Sequence, residues 1–152
     1  MNSQKKEYAM EFSAWNSRHI VRVAFGMSIA LACVGVRAEP AATAELNACE
    51  AAIGNQPRTA MQACLSSRLK NAQENLQRAY ARARDELKAI DSSATPHALQ
   101  ALKASRESFN VFMDKECKRQ GAAMLGGSGS GDVELACQVA LTRWRADALR
   151  QD

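Results

Sequence analysis

Apolar residues recur at Met61, Leu65, Leu69, Ala72, Leu76, Tyr80, Ala83, Leu87 and Ile90, always three or four positions apart. That spacing draws one stripe along an α-helix and cannot lie on one face of a strand, whose side chains alternate. The residues between, among them Arg68, Lys70, Gln73, Glu74, Arg78, Arg82, Asp85 and Lys88, are polar and fit the solvated side. Pro57 suits a first turn, and an unbroken helix from Arg58 to Ile90 would reach about 50 Å. Helical stability in proteins comes mostly from packing of such a stripe, so this helix needs a partner along its length.

Asp91-Ser92-Ser93-Ala94-Thr95-Pro96 interrupts the pattern. Thr95 reads as an N-cap with Pro96 at the first helical position of a second helix. Its stripe runs through Leu99, Leu102, Phe109, Phe112, Met113 and Cys117, with Arg106 on or beside it. The run from Gly126 to Gly131 reads as a loop, after which Asp132 caps a third helix carrying Val133, Cys137, Ala140, Leu141, Trp144 and Ala148 on its apolar side. At that spacing Trp144 is assigned to the core. A short helix within 44–53 carries Leu46, Cys49 and Ala52. No alternating run rich in Val, Ile and Thr occurs, so the fold is expected to be all-α. Short connections favour antiparallel neighbours, giving an antiparallel three-helix bundle with a short extra N-terminal helix.

The first forty residues read as an address label. Val21 to Val36 is apolar apart from Arg22 and Ser28, follows Arg18 and His19, and closes on Val36-Arg37-Ala38 before Glu39-Pro40. That is a basic region, a short apolar stretch and an A-x-A-like cleavage site. The uncharged stretch from Val23 to Val36 is shorter than the ~20 residues of a transmembrane helix. The expected division is a signal peptide over 1–38, an N-terminal segment with a short helix over 39–56, and a helical domain over 57–152. Met1 and Met10 both remain open as the start, an uncleaved anchor stays as an alternative, and so does lipidation at Cys33, after Ala30-Leu31-Ala32. The expected destination is the periplasm or the outside of the cell.

Cys49, Cys64, Cys117 and Cys137 then remain. An even number in a small exported domain reads as a disulfide framework, with three possible connectivities. Pairing between neighbours, Cys49 with Cys64 and Cys117 with Cys137, closes short loops across helix junctions, each worth roughly 3 kcal/mol on loop entropy. An up-down-up order of helices brings Cys64, Cys117 and Cys137 to one pole, with Cys49 joining them, so a Cys64 to Cys117 bridge stays open. No pair has the C-x-x-C spacing of a zinc knuckle, and neither a metal nor another cofactor is expected.

Charge argues against nucleic acid. Outside 1–38 the chain carries fifteen basic and fourteen acidic residues, interspersed, and no basic stripe of the kind such binding needs. Catalysis finds little footing either. Asp85 with Glu86 and Asp114 with Glu116 are spaced to point to different helix faces. Glu107 and Asp114 fit a solvated side, and His97 sits in a turn with no sequence reason to approach a cysteine. Ser128 and Ser130 lack the preceding strand of a nucleophile elbow or phosphate loop. The chain is not expected to be an enzyme.

Several strings, taken in order, resemble the lysozyme-inhibitor family typified by the LprI N-terminal domain. They are Cys49; Thr59-Ala60-Met61-Gln62-Ala63-Cys64; Asn75-Leu76-Gln77-Arg78-Ala79-Tyr80; Arg106 to Cys117; Gly126-Gly127-Ser128; Cys137; and Leu141-Thr142-Arg143-Trp144-Arg145, with Leu149 after them. The resemblance spans 49–149 and marks Tyr80, Arg106, Asp114, Thr142 and Arg145 as motif positions. Phe109 stands where the family usually has Trp, Met113 replaces an Arg, and Gln77 replaces an Asn. The resemblance implies a protein partner, a c-type lysozyme among the candidates, whose inhibition protects peptidoglycan. Candidate contacts at the cysteine pole are Lys118, Arg119, Gly126, Gly127, Ser128 and Ser130. The alternative reading is a non-catalytic interaction or assembly module of the cell envelope or a secretion system.

Overall fold

The computed structural model describes residues 42–90 and 92–151. The expected leader over 1–38, its cleavage site and Cys33 lie outside the described residues. Four helices follow one another: α1 (Ala42–Ile53), α2 (Thr59–Ala89), α3 (Thr95–Ala122) and α4 (Ser130–Ala148). The described residues contain no strand, and the all-helical expectation holds.

The helix ends show how local chemistry sets the boundaries. Gly54, at φ 54°, closes α1 with its N–H donated to the Glu50 carbonyl at 3.1 Å, a left-handed position that glycine takes without a Cβ penalty. Thr95 is not the cap of α3 but its first residue, with Ala94 at the N-cap. Its hydroxyl instead donates to the Ile90 carbonyl at 2.6 Å, serving an acceptor orphaned by the end of α2. Likewise α4 starts two residues before Asp132, with Gly129 at its N-cap. Ser130 Oγ donates to the Gly121 carbonyl at 2.8 Å, tying the start of α4 to the end of α3. Asp132 is buried and pairs with Arg58 across the helices at 3.5 Å, an acid held at a helix N-terminus where the backbone dipole favours it.

α4 packs against all three other helices, whereas α2 and α3 touch each other far less than either touches α4. Eight of its 19 residues are buried, so the chain wraps this element almost all round. Arg58 meets Asp132 and Tyr80 meets Arg145, so α2 and α4 run in the same sense. Ser105 with Arg145 and Cys117 with Cys137 set α3 the opposite way. α1 is a full member of the fold and no accessory, because it supplies Ala42, Glu45 and Cys49 to the interior.

One core cluster gathers Leu65, Cys49, Cys117, Cys137, Phe109, Ala136 and Leu141. A second holds Ala79, Tyr80, Ala146 and Leu149, with Leu102 partly buried against it. The disulfides join neighbours: Cys49 to Cys64 with Cα atoms 5.8 Å apart, and Cys117 to Cys137 at 5.4 Å. Cys49, Cys64, Cys117 and Cys137 are all bridged and offer no thiolate as a metal ligand.

Glu45 is the one buried charge in α1. Its carboxylate accepts from Arg68 of α2 at 2.7 Å and from Arg143 of α4 at 2.7 Å, pinning three helices at one point. Such a group is tolerated inside only when both oxygens are served, as they are here.

The stripes are wider than the neighbours that cover them. Trp144, assigned to the core by its spacing, is 45% exposed and leans on Phe109 with ring centroids 6.4 Å apart. Phe112 and Ile90 are also exposed. α1, α2 and α3 leave one strip of α4 uncovered, and Trp144 lies on it.

Candidate functional site

The segment between α3 and α4 is a sequence of tight turns. Met124 N–H donates to the Gly121 carbonyl at 3.1 Å, Leu125 to Ala122 at 3.0 Å and Gly127 to Met124 at 3.0 Å. Gly126 has φ 82° and Leu125 has φ 48°. A left-handed backbone is routine for glycine, but costs a leucine about 1 kcal/mol. Leu125 is nevertheless 93% exposed, so its strain is not repaid by burial within this chain. Met124 beside it is half-exposed. The loop therefore displays two apolar side chains at its tip, stiffened by three backbone hydrogen bonds and rooted by the Cys117–Cys137 bridge. Strain of this kind clusters where a chain meets a ligand.

Three cations surround the root. Lys118 pairs with Asp114 at 2.8 Å, and Arg119 with Glu116 at 2.5 Å, both within α3. The third, Arg58, carries a side chain 70% exposed, and a Cβ on Gly129 would lie 3.0 Å from its guanidinium. Lys118 and Arg119 thus stand where the sequence put them, at the end of α3, with carboxylates of their own helix beside them. Gly126, Gly127 and Ser128 form the exposed part of the loop, while Ser130 is consumed in the helix junction. Sequence reasoning missed Met124, Leu125 and Arg58. The two apolar residues directly before a double glycine were a readable signal. Arg58 was not, since only the fold brings it to Gly129.

The Arg119 guanidinium holds the Glu116 carboxyl down to about 2, with the Gln120 amide adding to the effect. Asp114 beside Lys118 pushes that ammonium up. A carboxyl whose pKa is lower in the folded chain contributes its stability above the ordinary value of 4.5 and loses it as pH falls toward 2. The Glu116 side-chain carbon is expected to titrate near 2 by NMR, moving back toward 4.5 in Arg119→Ala.

A second gathering lies farther along the helices. Tyr80 is buried and its hydroxyl accepts from Arg145 Nε at 3.1 Å. The guanidinium carbons of Arg106 and Arg145 stand 5.2 and 5.7 Å from its ring centre, at cation–π range. Arg145 also donates to Ser105 Oγ at 2.5 Å. Thr142 is buried and donates to the Met113 sulfur at 3.4 Å. Four of the five motif positions, Tyr80, Arg106, Thr142 and Arg145, are thus brought into one neighbourhood. Asp114 is not among them, being exposed and paired with Lys118.

Neither gathering contains the convergent groups of an active site. Glu107 lies 3.9 Å from Lys103, Asp85 lies 2.9 Å from Arg84, and His97 is exposed near the start of α3. Among the described residues no group of three or more His, Cys, Asp or Glu is placed to hold a metal, and no helix is long and apolar enough to cross a membrane.

No curated protein and no solved structure matches the chain significantly. The family model described as lysozyme inhibitor LprI matches residues 49–149. That stretch runs from the first bridged cysteine to the buried Leu149 and takes in both disulfides, the loop and the Tyr80 cluster. Two disulfides and this family fit an exported protein, and the family is one of inhibitors whose partner is a protein. By that match, over well more than half its length, the chain belongs to the LprI lysozyme inhibitor family.

Proposed function

We propose that this protein is an exported, periplasmic inhibitor that protects peptidoglycan by blocking the cleft of a c-type lysozyme with the loop between α3 and α4. The observation that carries the reading is the family match over 49–149. The geometry adds an instrument. Glycosidase clefts of this kind hold two carboxylates beside an apolar sugar-binding floor. A tip bearing Leu125 and Met124, with Arg58, Lys118 and Arg119 around its base, offers apolar surface to the floor and positive charge to the carboxylates. Ordering a loop on binding costs affinity, and the disulfide with the turn hydrogen bonds lowers that cost beforehand.

The purified, oxidised protein is expected to slow lysis of cell walls by a c-type lysozyme at micromolar or lower concentration, and to co-elute with the enzyme on a sizing column. Leu125→Asp removes the apolar tip and places a like charge near the cleft acids. It is expected to weaken inhibition roughly tenfold or more, the scale of an interface anchor, without lowering the melting temperature, because Leu125 has almost no contacts to lose and Asp tolerates its left-handed backbone better. Absence of inhibition against every lysozyme class tested, with no complex on the column, would overturn the proposal. A second reading, a non-catalytic docking module of the envelope, draws on the exposed Phe112 and Trp144. It predicts that a charge placed at Trp144 abolishes capture of an envelope partner and leaves lysozyme untouched.

A further inference from the structure

α2 and α3 splay apart, and every charged residue that lines the valley between them is a cation. Its wider part encloses about 370 Å³. Arg84 and Lys88 of α2 face it from one wall, Lys103 and Arg106 of α3 from the other, over a floor of Tyr80, Leu99 and Leu102. A second recess of about 260 Å³ shares Gln77, Tyr80 and Arg106 and extends the valley toward Gln73 and Met113. No carboxylate lines either part.

Two of these cations carry no acidic partner among the described residues. Lys88 has none, and Arg106 has only the face of the Tyr80 ring. Arg145 on the same ring contacts the Tyr80 and Ser105 hydroxyls, both neutral. Arg84 and Lys103 are held only by exposed pairs with Asp85 and Glu107, which contribute little and exchange readily. In a domain whose charges are otherwise interspersed, a valley lined by four cations and no carboxylate, two of the cations without an acidic partner among the described residues, carries net positive charge. It favours a ligand that supplies the missing charge.

We infer that the α2–α3 valley is a docking site for an acidic, amphipathic peptide segment of a partner protein, separate from the loop proposed to meet lysozyme. From Gln73 to Lys88 the valley runs about 22 Å at the rise of a helix, the length of a four-turn amphipathic helix laid in a groove. The distribution of charge selects this occupant. Two cations on each wall of the wider part serve a chain that brings several separate carboxylates, whereas a single-headed lipid presents its charge at one point. The apolar floor between the walls takes leucine-like side chains at helical spacing. Its one aromatic ring, Tyr80, is buried and covered by Arg106, so it offers no stacking platform to bases.

The test uses the full oxidised chain and a fluorescein-labelled 16-residue helix of Leu and Glu, with Leu on one face. Anisotropy is expected to show saturable binding that weakens several-fold between low and physiological salt. The double substitution Lys88→Glu with Lys103→Glu changes only exposed rim residues, so folding is retained. It is expected to weaken binding at least tenfold, as Arg106→Gln does in part. The Leu125→Asp variant keeps peptide binding, and the rim variant keeps whatever lysozyme inhibition the parent has, so each proposal fails or stands independently. Equal binding of the same peptide with Lys for Glu, unchanged affinity in the rim variant, or capture of anionic phospholipid vesicles in place of the peptide would overturn the inference.

Discussion

Replacing Cys117 and Cys137 together by serine is expected to lower stability by roughly 3 kcal/mol and to weaken lysozyme inhibition in the same protein. The bridge closes a separation of 20 residues, and the entropy restored to the unfolded chain by opening a loop of that size accounts for the figure. Against a total of about 5–15 kcal/mol for a domain of this kind, that is a large share. Urea denaturation reads it as a shift of the midpoint with little change in slope. The second effect follows from position. Both cysteines are fully buried and stand at the two roots of the loop carrying Leu125. Without the bond, the ends of α3 and α4 are held by packing and the Ser130 to Gly121 hydrogen bond with no covalent tie, and more of the loop must be ordered on binding at its own cost. Full inhibition by the folded double variant would remove the loop from the account.

Leu65→Ala is the matched control, with an expected loss of about 3 kcal/mol and no loss of inhibition below its melting temperature. Leu65 is wholly inaccessible and sits in the cluster with Cys49, Cys117, Phe109 and Cys137. Alanine in its place removes buried carbons and leaves a cavity that bridged helices close poorly, which puts the cost within the 2–5 kcal/mol of such truncations. Alanine is also the better helix former, so a loss here reports packing alone. Thermal unfolding should fall by roughly 10–20 °C for a chain of this size. A loss under 1 kcal/mol would mean the cluster around Leu65 is not the interior described.

The long stripe was legible in the sequence because a 31-residue helix repeats its signal many times. Leu65, Ala72 and Tyr80 are buried as the spacing requires. Ile90 continues the same period but is exposed, since periodicity states which face is apolar and not how far a neighbour reaches. Trp144 and Phe112 failed for the same reason. Local signals misplaced the caps: Thr95 and Asp132 have the right chemistry for a helix start. Each is engaged elsewhere, with the Ile90 carbonyl in one case and Arg58 in the other. Glu45 left no trace in the sequence, because its partners Arg68 and Arg143 lie 23 and 98 residues away. The positive valley was equally hidden. Lys88 read as a solvated helix position and Arg106 as a residue on or beside an apolar stripe, and only the opposed run of α2 and α3 sets them, with Arg84 and Lys103, on two walls of one site.

A loop seated in the catalytic cleft of lysozyme must compete with any ligand that fills the same cleft. Immobilised oxidised protein is titrated with a c-type lysozyme, alone and with a chitin oligosaccharide saturating the enzyme's cleft. The sugar is expected to abolish binding, and Leu125→Asp to weaken it roughly tenfold or more in the absence of sugar. Binding that persists undiminished with the cleft filled would contradict that seating of the loop.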